Sequence, residues 1–334
     1  MRPHPFIIGK LRRRWKLDTK NPGTSQPFAA FIKLPLKPEL KQIWWMFCVT
    51  KKPMARINKI NIETLLAKYS VLLLDAYGVL VHSSGALPGA AQWIDTLNRT
   101  KKPYYIVTND ASKLPATSAR LFQSFGLVIA PDKIITSGSL LVDYFADNHL
   151  EDTPCAVLGP KDSARYVELA GGRVVTARDP FEVLIIGDES GYPFLQTVDT
   201  VLSGLFKKFD SDANVHLVLP NPDLIYPKAD QGFGIASGSI ALILEAALQR
   251  RYPARPELKF ARLGKPHAAI FRKALERSGT RDMVMLGDQP ETDIRGAVEF
   301  GLDAVLVGTG IANVKLKAVN KSLQPTYFLD SLSL

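Results

Sequence analysis

The run Val71-Leu72-Leu73-Leu74 ends in Asp75, and the chain then passes through Ala76-Tyr77 to Gly78. A short run that is apolar at every position reads as a strand covered on both faces, which calls for a parallel sheet flanked by helices. In such sheets the chemistry sits beyond the carboxyl ends of the strands, where Asp75 falls. The pattern recurs twice. Tyr104-Tyr105-Ile106-Val107 ends in Thr108-Asn109, and Met283-Val284-Met285-Leu286 ends in Gly287-Asp288, with Asp293 following. Between them lies a loop-like Gly264-Lys265-Pro266.

Longer amphipathic segments separate these runs, and the alternation predicts an α/β fold with a Rossmann-like parallel sheet core. Helices are expected over 88–99, from Pro115 to about Gly126, over 266–278 with Gly279 as the stop, and from Glu291 to Gly301 before the strand Ala304-Val305-Leu306-Val307. Residues 137–257 carry a pattern of their own. Strands are expected at Cys155–Leu158, Val183–Ile186 and Val215–Leu219, with helices around 194–208 and 237–250. That is enough for an inserted α/β domain. The predicted organisation is therefore a core of 54–136 and 258–334, with 137–257 inserted between them.

Charge divides the chain differently. Residues 1–53 hold 12 Lys+Arg against Asp18 and Glu39, so they carry the whole net charge of +10 and the remaining 281 residues are formally neutral. The body therefore gives no electrostatic reason to expect a nucleic-acid partner. For the basic leader, composition favours a disordered or non-native extension, with the folded protein starting at Met54. A transit peptide and a basic arm for nucleic acid or an anionic membrane compete with that reading. The apolar stretch Ile43–Val49 is too short to span a bilayer. Two cysteines, Cys48 and Cys155, are too few for a disulfide framework, and a cytoplasmic setting is expected. The sequence leaves a homo-oligomer open.

In order and placement, Asp75, Thr108-Asn109, Lys265 and Asp288 with Asp293 resemble the four motifs of the haloacid dehalogenase (HAD) superfamily of hydrolases. Leu87-Pro88-Gly89-Ala90, Thr136-Ser137-Gly138 and Asn221-Pro222-Asp223 are similar to signatures of its class IIA branch, whose α/β cap lies between the second and third motifs. The resemblance implies a phosphatase of small phosphorylated metabolites. Asp75 would attack phosphorus and become an aspartyl-phosphate, and Mg²⁺ would be held by Asp75, the Tyr77 carbonyl and Asp288, with Asp293 as a further ligand or an anchor. Thr108 and the Asn109 amide would bind phosphoryl oxygens, Lys265 would neutralise charge there, and the cap loop bearing Asn221 and Asp223 would face the substrate.

One position departs from the family. Its phosphatases carry a second Asp two residues after the nucleophile as general acid and base, and here that residue is Tyr77. A positioned acid/base is worth ~10²–10⁴-fold, so its loss predicts a slow enzyme or a phosphometabolite-binding protein with little turnover. Asp110 is expected to cap the following helix rather than replace the missing acid. His82 is expected in a solvated loop.

Overall fold

The structure is a computed structural model that describes residues 57–228, 232–308 and 324–332. The expectations for residues 1–53 lie outside the described residues. In the first part of the body, strand β1 (Asn58–Lys59), helix α1 (Ile62–Lys68) and β2 (Val71–Leu74) lead into a small hairpin of β3 (Val81–His82) and β4 (Gly85–Ala86). Helix α2 (Ala90–Arg99), β5 (Tyr104–Thr108), α3 (Pro115–Ser124) and β6 (Ile134–Thr136) follow.

The insert runs through α4 (Leu141–Asn148), β7 (Pro154–Leu158), α5 (Lys161–Leu169), β8 (Arg173–Val175), β9 (Val183–Ile186), α6 (Phe194–Asp210) and β10 (His216–Leu219). It continues with an antiparallel hairpin of β11 (Ile225–Pro227) and β12 (Phe233–Ile235), helix α7 (Ser237–Arg251) and β13 (Ala261–Arg262). The chain then returns through α8 (Ala268–Ser278), β14 (Met283–Gly287), α9 (Arg295–Phe300), β15 (Asp303–Val307) and β16 (Tyr327–Leu329).

Two parallel sheets result. The larger has the order β1-β16-β15-β14-β2-β5-β6, and the smaller β13-β10-β9-β7-β8. In the larger sheet the chain moves from β2 outward through β5 to β6 and later from β14 outward through β15 to β16, so β2 and β14 flank the point where strand order reverses. Clefts form at that point in open parallel sheets. The smaller sheet reaches Arg262, past residue 257 where the insert was expected to end, because Ala261 and Arg262 pair with Val218 and Leu219.

Side-chain alternation sorts the core into three clusters. Leu72, Leu74, Leu286 and Val305 bury one face of the large sheet against α1 and α2. Val71, Leu73, Met285 and Leu306 bury the other face in a cluster that also holds Cys155, Val183, Ile185 and Val218 of the small sheet, together with Phe145, Tyr166 and Val167 of α4 and α5. The far face of the small sheet packs Ala156, Leu184 and Leu217 against α6 and α7. One face of each sheet thus shares a single hydrophobic cluster. Among the described residues no helix is long and apolar enough to cross a membrane.

Candidate active site

Three neighbouring strands of the large sheet deliver the site, since β2 pairs with β14 on one side and β5 on the other. Strand spacing of about 4.8 Å therefore brings the residues at their ends together although they are far apart in sequence. Asp75 follows β2 and continues its pairing, with its N–H donating to Leu286 O at 2.9 Å. Asp288 follows β14. The chain after it forms a π-helical turn over Pro290–Ile294 that carries Asp293 back across Gly287. A Cβ on Gly287 would collide with the Asp293 side chain, so this return needs glycine. Ligand oxygens of Asp75, Asp288 and Asp293 all lie within 4.8 Å of one another, and all three residues are buried.

Lys265 enters from the other side and is itself only 3 % exposed. Its ammonium donates to Asp75 Oδ1 at 2.6 Å and pairs with Asp293 Oδ1 at 2.7 Å. Burial alone would lower the lysine's pKa, but the Asp293 and Asp75 carboxylates outweigh it and hold the amine protonated. Asp75 is pushed well above the usual carboxylate range, first by burial, then by Asp293 and Asp288, with Lys265 pulling the other way. Three buried carboxylates against one ammonium leave an excess of negative charge, and such a set of hard oxygen donors fits a divalent cation of the magnesium or calcium kind. The two oxygens of Asp293 are both engaged, Oδ1 with Lys265 and Oδ2 with the Gln289 N–H at 3.1 Å. Both roles stay open to Asp293, a further ligand through its place beside Asp75 and Asp288 and an anchor through Lys265.

Gly78 allows the close approach on the opposite side. Its φ of +89° lies in the left-handed region, and a Cβ there would stand 2.6 Å from Asp288 Oδ1 and closer still to Oδ2. Asp75 Oδ1 also accepts from the Ala76 N–H at 2.8 Å.

Thr108 is buried at the end of β5, and its Oγ1 accepts from the Asp110 N–H at 3.3 Å, which leaves its own hydroxyl hydrogen to donate. The Asn109 side chain is engaged within the protein. Its Nδ2 donates to Lys265 O at 3.0 Å and to Asp223 Oδ1 at 2.9 Å, and its Oδ1 accepts from the Lys265 N–H at 2.7 Å. Both side-chain amide hydrogens are therefore committed within the protein, where they clamp the lysine loop. Asp223 does reach the site, through Asn109, whereas Asn221 closes a local turn by accepting the Asp223 N–H at 3.0 Å.

Asp110 does not cap α3, whose N-cap position is Leu114. Its Oδ1 instead accepts from the Ser112 N–H at 2.7 Å and its Oδ2 pairs with Lys113 at 3.0 Å, a side-chain turn that ends before the helix begins. The Leu114 N–H and the Thr117 hydroxyl are taken by Asp162 of the insert, at 2.9 and 2.7 Å. Two further insert residues hold the same segment. The Ser163 hydroxyl donates to Ala111 O at 2.8 Å and the Tyr166 hydroxyl to Lys113 O at 2.6 Å.

Tyr77 is half-buried. Burial raises its phenol pKa, Lys113 opposes that rise, and Asp110 and Asp188 add to it. Asp188 and Glu189 stand beside this rim without belonging to any of the motifs named from sequence. Both follow the buried strand β9 and Gly187, the same pattern that marked Asp288 after β14. His82 lies exposed in the β3–β4 hairpin, where its Nδ1 accepts from the Ser84 N–H at 3.0 Å.

Two family models match this arrangement from either side of the insert: haloacid dehalogenase-like hydrolase over residues 72–173, and HAD-hydrolase-like over residues 262–334. A crystal structure from Cytophaga hutchinsonii, described as a possible sugar phosphatase of the HAD superfamily, superposes with a TM-score of 0.73 at 30% identity, covering 84% of this chain and 99% of that one. The acid sugar phosphatase of Staphylococcus epidermidis is 26% identical over 79% of this chain and 96% of its own length. The dihydroxyacetone phosphatase of Corynebacterium glutamicum is 26% identical over 78% and 88%. With the four motif elements assembled at the strand ends, the chain belongs to the haloacid dehalogenase-like hydrolases, in the class IIA branch that carries its α/β insert between the second and third motifs.

Proposed function

We propose that this chain is a Mg²⁺-dependent phosphoric monoester hydrolase of small phosphorylated metabolites, sugar phosphates foremost, acting through a covalent phosphate on Asp75. The observation that carries this reading is the buried Asp75–Lys265–Asp293 chain with Asp288 beside it, at the point where strand order reverses. The names of the acid sugar phosphatase and the dihydroxyacetone phosphatase support the substrate class. Asp75, the Tyr77 carbonyl and Asp288 would hold the metal, with Asp293 anchoring the lysine. When bound, Mg²⁺ would offset the repulsion between the carboxylate and the incoming phosphate and fix a phosphoryl oxygen.

The chain's own residues then divide the work. Asp75 Oδ1 is held by Lys265 and the Ala76 N–H, so Oδ2 is the oxygen that attacks phosphorus. An O–P bond forms to Asp75 as the ester O–P bond breaks, and the leaving alkoxide takes a proton. The Tyr77 phenol, kept protonated by burial, is the donor nearest the nucleophile in sequence. Thr108 donates to a phosphoryl oxygen, and Lys265 neutralises charge beside it. Water then cleaves the acyl phosphate, returning Asp75 and releasing inorganic phosphate. The small sheet acts as the cap over the leaving group, in a division of core from cap that follows 54–136 and 258–334 against 137–257 except that β13 extends the cap to Arg262, and the cysteine count supports a cytoplasmic setting.

Tyr77 also supports a second reading, a phosphometabolite-binding protein with little turnover, because a phenol with a raised pKa is a poor base for the water step. Phosphate release from p-nitrophenyl phosphate and a panel of sugar phosphates, with and without Mg²⁺, separates the two. Metal-dependent release supports the hydrolase. Saturable binding of the same compounds without release supports the binding protein.

A further inference from the structure

The segment that follows β5 is held from the insert along most of its length. Asn109, Ala111, Lys113 and Leu114 bond respectively to Asp223, Ser163, Tyr166 and Asp162. Three of those contacts fix backbone groups. The fourth differs, because Asn109 passes it on. The same amide nitrogen that donates to Asp223 Oδ1 also donates to Lys265 O, and its partner oxygen accepts from Lys265 N–H. Lys265 in turn holds the Asp75 oxygen at 2.6 Å.

Close backbone packing leaves this path little slack. A Cβ on Gly264 would stand 2.5 Å from Asn109 Oδ1 and 2.7 Å from Pro220 O. One on Gly238 would stand 2.6 Å from Asp223 O. The loop carrying Asp223 is thus wedged between the lysine loop and the start of α7. An amide side chain can rotate about its terminal bond, and a carboxylate acceptor fixes which hydrogen points where.

We infer that Asp223 is a positioning residue: from the insert it orients the Asn109 amide, which holds the Lys265 loop and so places the lysine ammonium against the nucleophile. The inference rests on the hydrolase reading for its chemistry. On this view the phosphoryl-transfer site is complete only when the insert's Asn221-Pro222-Asp223 loop is seated, and a group outside the core controls a step that occurs inside it. A misplacement of about 1 Å at reacting atoms can cost ~10²-fold in rate, which sets the expected size of the effect.

The test uses the full chain loaded with Mg²⁺. Asp223→Ala is expected to lower kcat about 10²-fold, by the same factor for p-nitrophenyl phosphate and for a sugar phosphate. Asp223→Asn keeps an acceptor oxygen in place and should retain most of the activity. Asn109→Ala should resemble Asp223→Ala, and the double variant should be no worse than Asn109→Ala alone. A loss confined to the sugar phosphate would make Asp223 a leaving-group contact and overturn the inference, as would unchanged kcat or additive losses. Should the alanine variant fail to fold, Asp223→Leu conserves the shape without the acceptor and carries the same comparison. If the parent hydrolyses no phosphate ester, the proposed function fails but the linkage is still read from orthovanadate binding to the Mg²⁺-loaded protein. Asp223→Ala should weaken that binding and Asp223→Asn should not, and equal binding by all three proteins would reject the link.

Discussion

Gly78→Ala tests the proposed metal site without removing any of its ligands. An L-residue at φ +89° carries a backbone penalty of about 1–2 kcal/mol. The new methyl would also stand 2.6 Å from Asp288 Oδ1 and closer still to Oδ2, against roughly 3.3 Å for a resting carbon–oxygen contact, so the buried carboxylate must move by more than about 0.7 Å. Magnesium demands near-ideal octahedral geometry, and perturbing the support of a metal ligand typically costs ~10–100-fold in affinity. The readout is stabilisation by the ion. At 100 times the parent's Kd, Mg²⁺ should stabilise the parent by about 2.7 kcal/mol, and the variant by about 1.4 kcal/mol for tenfold weaker binding or about 0.4 kcal/mol for hundredfold. Gly126→Ala is the control, because its φ of +82° imposes similar strain with nothing within 4 Å of the new Cβ. Denaturant unfolding with and without Mg²⁺ measures all three proteins. If Gly78→Ala gains as much from Mg²⁺ as Gly126→Ala does, Asp288 does not hold the ion.

Asp75→Asn should abolish phosphate release while leaving the fold intact, since the amide is nearly isosteric but cannot attack phosphorus; turnover near the parent's would remove Asp75 as nucleophile. The parent should show a burst of leaving group before a slow steady state. Tyr77→Asp should then raise steady-state turnover by at most ~10²–10⁴-fold, whereas no burst and no gain would favour the binding protein. Tyr166→Phe removes the hydroxyl that bonds Thr136 Oγ1 and Lys113 O, both at 2.6 Å, and should cost about 1–3 kcal/mol in a denaturant titration; an unchanged midpoint would show that this contact does not hold the segment.

The strands that build the site were legible because burial on both faces forces an unbroken apolar run, as in Val71–Leu74 and Met283–Leu286. The short strands β1, β13 and β16 carry no comparable pattern, since two or three residues give periodicity nothing to repeat. The motif residues could be named from family resemblance, but their contacts could not. Lys265 and Asp75 are 190 positions apart, and only the pairing of β2 with β14 and the return of the insert bring them together. Asn109 shows the limit most clearly. Its residue type suits a phosphoryl contact, and only the positions of Lys265 O and Asp223 show that both amide hydrogens are already used. Asp110 likewise has the chemistry of a helix cap but stands too far before Pro115 to reach the first turn, and it is Asp162 from another element that accepts from the Leu114 N–H and the Thr117 hydroxyl there.

The surroundings of residue 77 bear on why an acid there would still function. Asp110 and Asp188 both push the pKa of a group at this position upward, as does burial, and Lys113 alone among the named neighbours pulls it down. Burial would also move a carboxyl at residue 77 upward, toward the range in which it can donate to a leaving group and then accept from water. For tyrosine the identical shift works against the second half of the cycle, because it moves an already weak acid further from ionising at neutral pH. The environment therefore suits a carboxyl general acid/base better than the residue that occupies it. On the proposed mechanism this asymmetry would make leaving-group departure the easier half-reaction and water attack on the Asp75 phosphate the slower one. Substrates whose leaving groups need no proton would then gain little overall, since their turnover is limited by the same dephosphorylation step.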